Sequence, residues 1–178
     1  AVSAVMPARF QLVAAMNPCP CGGGAPGACN CGEQRSLRYA QRVSGALLDR
    51  FDLRVPVTRP GVDDLLDTEV GESSAAVARR VAGARRRAVR RQGSLNARLG
   101  ANALDEVAPL ESAARTLLRD EMERERLTAR GYHRVRRLAR TIADLVDDDV
   151  EFVPEAAVDL ALTMRSALRP SGVGRSVA

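Results

Sequence analysis

Between Asn17 and Glu33 the chain carries a stretch that suits neither helix nor strand: Pro18 to Gly32 holds three prolines, five glycines and all four cysteines. Proline removes a backbone donor and glycine adds freedom, so this stretch is a loop. Its cysteines, Cys19, Cys21, Cys29 and Cys31, are spaced Cys-x-Cys, seven residues, Cys-x-Cys. Four thiolates so close together can wrap a tetrahedral Zn ion, and such a closed site would be structural. Free thiols, disulfides and an iron–sulfur cluster stay open, because the spacing is not a common finger pattern. A Cys19–Cys21 bond would close a strained small ring, which leaves only cross pairings among the disulfides.

The flanks set the expected organisation. Phe10 to Met16 (FQLVAAM) is a short apolar run ended by Asn17-Pro18, the pattern of a central strand in a parallel sheet. Glu33 to Ala46 has helical spacing through Leu37, Ala40 and Val43, with Arg35, Arg38 and Arg42 on other faces. After Leu47 to Leu53, the alternation of Leu53, Val55 and Val57 predicts a strand near a sheet edge, and Arg59 to Gly71 reads as an acidic connector. From Ser73 the pattern is helical only. A first helix is capped at Ser73 or Ser74 and ended by Gly93, and a loop follows from Gly93 to Val107. A second helix opens at Pro109. A third is capped by Thr128, with Val135, Leu138, Ile142 and Leu145 inward, and Asp147 to Asp149 break the pattern. A fourth runs from Pro154 through Leu168. The expected fold class is an α/β remnant over residues 1–60, a linker over 61–72, an all-α four-helix piece over 73–169 and an unstructured tail over 170–178. Residues 1–9 start without Met and without a cap or turn signal, which points to a fragment of a longer chain.

Composition narrows the chemistry. All 27 basic residues are arginine, so a phosphate-binding Walker A loop, which requires lysine, has no place here. With two Tyr, three Phe and no Trp, the composition argues against a base-stacking platform, and nucleic acid would have to be met through its phosphates. The net charge of +5 suits an anionic partner and equally a solvated arginine face; Arg79, Arg86 and Arg90 fit either description. No apolar run approaches the roughly 18 residues needed to cross a bilayer, and no secretory signal opens the chain. The expected location is therefore cytoplasmic, with no membrane partner.

Individual residues carry weaker signals. Asn17 ends an apolar strand, where α/β proteins place ligand contacts, although Asn-Pro is also an ordinary turn pair. Arg50 lies between Asp49 and Asp52, which predicts a local ion pair. Arg130 falls in the first turn of a helix, where the positive dipole end disfavours a cation unless an anion sits there. His133 has no nucleophile beside it, so no hydrolase triad can be built, and Tyr132 reads as a core aromatic. Leu104-Asp105-Glu106 lacks the apolar strand that a Walker B pair needs.

Three runs, PARFQLVAAMNPCPCG (7–22), RVSGALLDRFDL (42–53) and TARGYHRVRRLARTIADL (128–145), resemble the C-terminal part of the ComM/YifB proteins. These are AAA+ ATPases related to the magnesium chelatase ATPase subunit and to MCM helicases. The resemblance implies that Asn17 matches sensor 1, which orients the attacking water, that Arg50 matches the arginine finger, and that Arg130 matches sensor 2. It also implies ATP with Mg as cofactor of the complete protein, a hexameric ring, and DNA as partner in ATP-driven branch migration during natural transformation. The alternatives are a chelatase-like chaperone acting on a protein, and an inactive zinc-loop protein. Without Walker A and Walker B, residues 1–178 are not expected to hydrolyse ATP alone.

Overall fold

The computed structural model describes residues 4, 10–17, 19–22, 30–57, 60–62, 66, 71–146 and 150–166. The expectations placed on Cys29, on most of residues 1–9 and of the 61–72 linker, on Asp147 to Asp149, on Leu168 and on the 170–178 tail lie outside them. The chain divides into two compact units, Ala1–Val43 and Ser44–Ala178.

In the first unit, residues 10–17 form no regular element and pair with no strand among the described residues. The predicted strand over Phe10 to Met16 is therefore not formed. A strand exists through hydrogen bonds to a neighbour, and here Phe10 and Val13 stand 77% and 83% exposed. Helix α1 (Glu33–Ala40) follows the cysteine loop and is shorter than the predicted Glu33 to Ala46. The interruption has a local cause: Ser44 is extended, and its Oγ accepts from Leu47 N at 3.2 Å, which starts the separate turn α2 (Gly45–Leu48) in the second unit.

The second unit is helical. Helix α3 (Ser74–Gln92) is capped by Ser73 Oγ, which accepts from Ala76 N, and ends at Gly93 with φ 72°, a left-handed conformation natural only to glycine. The expected loop over residues 93–107 instead contains 3-10 turns at Asn96–Arg98 and Ala101–Ala103 and a short helix α4 (Leu104–Val107). Pro109 does not open a helix. It accepts from Val153 N at 2.7 Å while Glu111 N donates to Val153 O, and this isolated parallel bridge between Leu110 and Val153 precedes α5 (Ser112–Glu123). Helices α6 (Ala129–Val146) and α7 (Glu155–Ser166) complete the unit. Thr128 Oγ1 caps α6 by accepting from Gly131 N at 3.0 Å.

The predicted edge strand over residues 52–57 is also absent. Only Arg54 N pairs, with Met164 O in the last turn of α7, an orphan helix carbonyl, and Val57 stays 89% exposed. The all-α part of the expected fold is thus present, and the strand-containing part is not found among the described residues. The core is built from Leu104, Ala108, Leu110, Ala114, Leu118, Val135, Ala139, Ala143, Val153, Val158 and Ala161. Burial of each larger aliphatic chain contributes about 1.5–3 kcal/mol. The α6 stripe passes through Val135, Ala139 and Ala143, so the predicted Leu138 and Ile142 pack only partly against it. Small residues there bring α3 and α7 close to the α6 backbone.

Candidate functional site

The cysteine loop is shaped by a tight turn. Gly22 N donates to Cys19 O at 3.2 Å, and Gly22 has φ 74°, which only glycine adopts without strain. The turn buries Cys19 and brings its Sγ to 3.1 Å from Cys21 Sγ. The sulfurs of Cys19, Cys21 and Cys31 all lie within 4.8 Å of one another. Tetrahedral coordination with metal–sulfur bonds of about 2.3 Å places sulfurs roughly 3.8 Å apart, so the three fit a metal ion within about an ångström. Asn17, at the entrance to the loop, is exposed, and its amide nitrogen lies 3.7 Å from where a Cβ on Gly22 would stand.

In the second unit the segment after α2 is fastened to the helices by three arginines. Arg54 Nη2 donates to Leu48 O at 2.7 Å. Arg134 Nη1, from α6, donates to Arg50 O at 2.7 Å and to Asp52 Oδ1. Arg165, from α7, donates to Phe51 O at 2.8 Å and to Asp49 Oδ1 at 3.1 Å. The predicted local ion pairs of Arg50 with Asp49 and Asp52 are therefore replaced: both carboxylates turn to arginines more than eighty residues away in the chain. Arg50 is exposed, and its guanidinium donates to Ala46 O at 2.8 Å. Arg130 is exposed in the first turn of α6, one helical turn before Arg134. Arg50 and Arg130 thus belong to one packed unit, joined through the Arg134 contact.

Close packing at the start of α6 explains a glycine. A Cβ on Gly131 would come within 2.9 Å of Leu127 Cδ1 and 3.2 Å of Thr128 Oγ1, so glycine leaves room for the capping hydroxyl. Beside it, Tyr132 packs against the core, as expected, and meets the His133 ring edge-on at 5.3 Å.

A second polar assembly lies on the far part of α6. Asp144, 1% exposed, receives both nitrogens of Arg91 at 2.8 and 2.9 Å, Arg140 Nη2 at 2.7 Å and Asn96 Nδ2 at 2.7 Å. Its carbonyl accepts from Arg87. Burial alone would raise the Asp144 carboxyl, but the donors from Arg91, Asn96 and Arg140 outweigh it and hold the group below the ordinary carboxylate range. Asp105 is likewise lowered by the Arg136 guanidinium, consistent with its place on α4 as an ion-pair partner. The sequence reading missed Arg54, Arg134, Arg165 and the Asp144 assembly. Only the Arg140–Asp144 spacing of four residues was visible in the pattern, and that alone is common.

Residues 71–165 match the family model described as magnesium chelatase, subunit ChlI C-terminal, and residues 1–65 match magnesium chelatase, subunit ChlI. The chain is 44% identical over 147 residues to a protein named uncharacterized protein YifB from Escherichia coli, covering 81% of this chain and 29% of that protein. It is 37% identical over 164 residues to the competence protein ComM of Haemophilus influenzae, covering 92% of this chain and 32% of that one. An uncharacterized Mycobacterium tuberculosis protein is 38% identical over 172 residues, 93% of this chain and 34% of its own length. The chain spans about a third of the length of these relatives.

Proposed function

The chain belongs to the ComM/YifB-type, magnesium chelatase-like AAA+ family, and we propose from that premise that it is the C-terminal segment of a cytoplasmic, ATP-driven hexameric ring that moves DNA. In this reading Arg50 is the arginine finger presented to the nucleotide of a neighbouring subunit, and Arg130 is the sensor 2 arginine. Asn17 is the sensor 1 residue that orients the attacking water, and Mg-ATP is bound with the help of segments of the complete protein. Residues 1–60 would complete the nucleotide-binding core and residues 73–169 form its helical lid, joined by a linker over 61–72.

The observation that supports this reading is the exposed Arg50 guanidinium, which donates to Ala46 O and meets no carboxylate among the described residues. Its acidic neighbours, which would otherwise quench it, are held by Arg134 and Arg165. Guanidinium groups placed this way neutralise charge developing on a transferred phosphoryl group. The same packed unit exposes Arg130 at a helix N-terminus, where a phosphate would offset the unfavourable placement of a cation. Cys19, Cys21, Cys29 and Cys31 form a structural zinc site in this reading. The sulfur geometry of the three described cysteines supports it, and four thiolates are the donor set zinc takes in closed sites.

The test is Arg50→Ala in the complete protein. Hydrolysis should fall by about 10³-fold or more while nucleotide binding is retained, since a finger acts on the transition state. Normal turnover in that variant removes the assignment. Hydrolysis that depends on Arg50 but responds to a protein partner and not to DNA would favour a chelatase-like chaperone instead.

A further inference from the structure

Not all the arginines of α3 are engaged inside the unit. Arg80 pairs with Glu72 at 2.6 Å, Arg87 reaches Asp144 O, and Arg91 holds the Asp144 carboxylate. Arg85, Arg86 and Arg90, by contrast, have no acidic partner among the described residues, and neither has Arg98 in the turn that follows the helix. These four line one open concavity of about 630 Å³ between the C-terminal half of α3 and the Asn96–Arg98 turn, with Val89 and Leu95 also in its lining. No carboxylate lines it among the described residues. The negative end of the helix dipole accounts for a cation at Arg90, in the last turn, but not for Arg98 on the opposite wall.

The two walls are held in place. Gly93 turns the chain at the helix end, Arg91 and Gln92 both donate to Asn96 Oδ1, and Asn96 in turn donates to Asp144 and Thr141. Just beyond the turn, Arg137 of α6 donates to Leu99 O at 2.7 Å. A buried polar assembly thus fixes the spacing between the arginines of α3 and Arg98. Positioned guanidiniums bind anions with less ordering cost than mobile ones.

From this we infer that the concavity is a binding groove for the sugar-phosphate backbone of nucleic acid, read without regard to sequence. Guanidinium forks match phosphate oxygens. The lining includes no aromatic ring for stacking and no Asn, Gln, Asp or Glu to read a base edge, so contacts stop at the phosphates. An acidic peptide would also bring amides that need partners, and Ser94 is the one polar uncharged side chain in the lining. The inference rests on the DNA part of the function proposed above and gives it a location.

The experiment follows the anisotropy of labelled single-stranded DNA titrated with the full chain over a series of salt concentrations. The double variant Arg86→Gln, Arg98→Gln removes one arginine from each wall. It should weaken binding and lower the slope of log affinity against log salt by about 1.4, the value for two lost single-strand contacts. The double variant Arg119→Gln, Arg124→Gln removes the same charge from exposed positions on and just after α5 and should leave the slope unchanged. Equal melting temperatures for both variants certify folding. Equal loss in both overturns the groove in favour of net charge alone. Absence of DNA binding by the unaltered chain at low salt overturns it as well, as does tighter binding of a polyglutamate peptide than of DNA. If the groove fails while the complete protein still shows DNA-stimulated, Arg50-dependent hydrolysis, the location is wrong and the motor reading stands.

Discussion

Replacing Asp144 by Asn changes one atom's identity at a site where the cost can be worked out. The carboxylate oxygens accept five hydrogen bonds: Oδ1 from Arg91 Nη1 and from two nitrogens of Arg140, and Oδ2 from Arg91 Nη2 and Asn96 Nδ2. An amide keeps one acceptor, so its NH2 group must face at least two donors, and both guanidiniums lose their counter-charge. Removing one partner of a buried pair costs about 3–5 kcal/mol. Arg140 is 2% exposed and cannot escape, while Arg91, at 26%, regains some water, which favours the lower part of that range. At about 4 °C per kcal/mol for a unit of this size, Tm should fall by roughly 12 to 16 °C. Thermal and urea denaturation of the two proteins side by side measure it. The same carboxylate sets an acid limit. Its folded pKa is lowered, so its contribution is complete above the ordinary Asp value of about 3.9 and is lost as pH falls through the folded value. Asp144→Asn should lack that part of the acid sensitivity. A variant within about 1 kcal/mol of the unaltered protein would refute the reasoning, since surface substitutions reach only about half that.

Arg165→Met should loosen the segment around Phe51, because it leaves Phe51 O without its donor and Asp49 without its cation; trypsin cleavage after Arg50 should then accelerate, and an unchanged rate would count against the fastening. Gly131→Ala gains up to about 1 kcal/mol of helix preference, yet a Cβ 3.2 Å from Thr128 Oγ1 crowds the hydroxyl that caps the helix, and a lost cap costs about 0.5–2 kcal/mol. A lower Tm is therefore expected, and a higher one refutes the packing account. Purified protein should carry about one zinc per chain, displaced by Cys19→Ser; less than about half an equivalent speaks against the four-thiolate site.

The helical half was legible because its signals are local. Ser73, Gly93 and Thr128 act at their own helix ends. The strands failed because pairing depends on a neighbouring segment, which FQLVAAM cannot specify by itself. Clustering of three of the four cysteines was foreseeable from their spacing alone. The partners of Asp49 and Asp52 were not. Adjacent charges favour a local reading, whereas the structure brings in Arg134 and Arg165 across the fold, and no periodicity records contacts between residues 82 and 116 positions apart.

The grip on the Arg50 segment is directed at the main chain: the carbonyls of Leu48, Arg50 and Phe51 are what Arg54, Arg134 and Arg165 hold. Every residue type supplies a carbonyl, so the side chains of Leu48 and Phe51 can change without undoing that part of the mooring, whereas Asp49 and Asp52 meet Arg165 and Arg134 through their carboxylates. Arg165 has no such latitude, because its Nη1 and Nη2 reach the Phe51 carbonyl and the Asp49 carboxylate at once and lysine lacks that planar fork. Divergence should therefore accumulate at Leu48 and Phe51 and stall at Arg165.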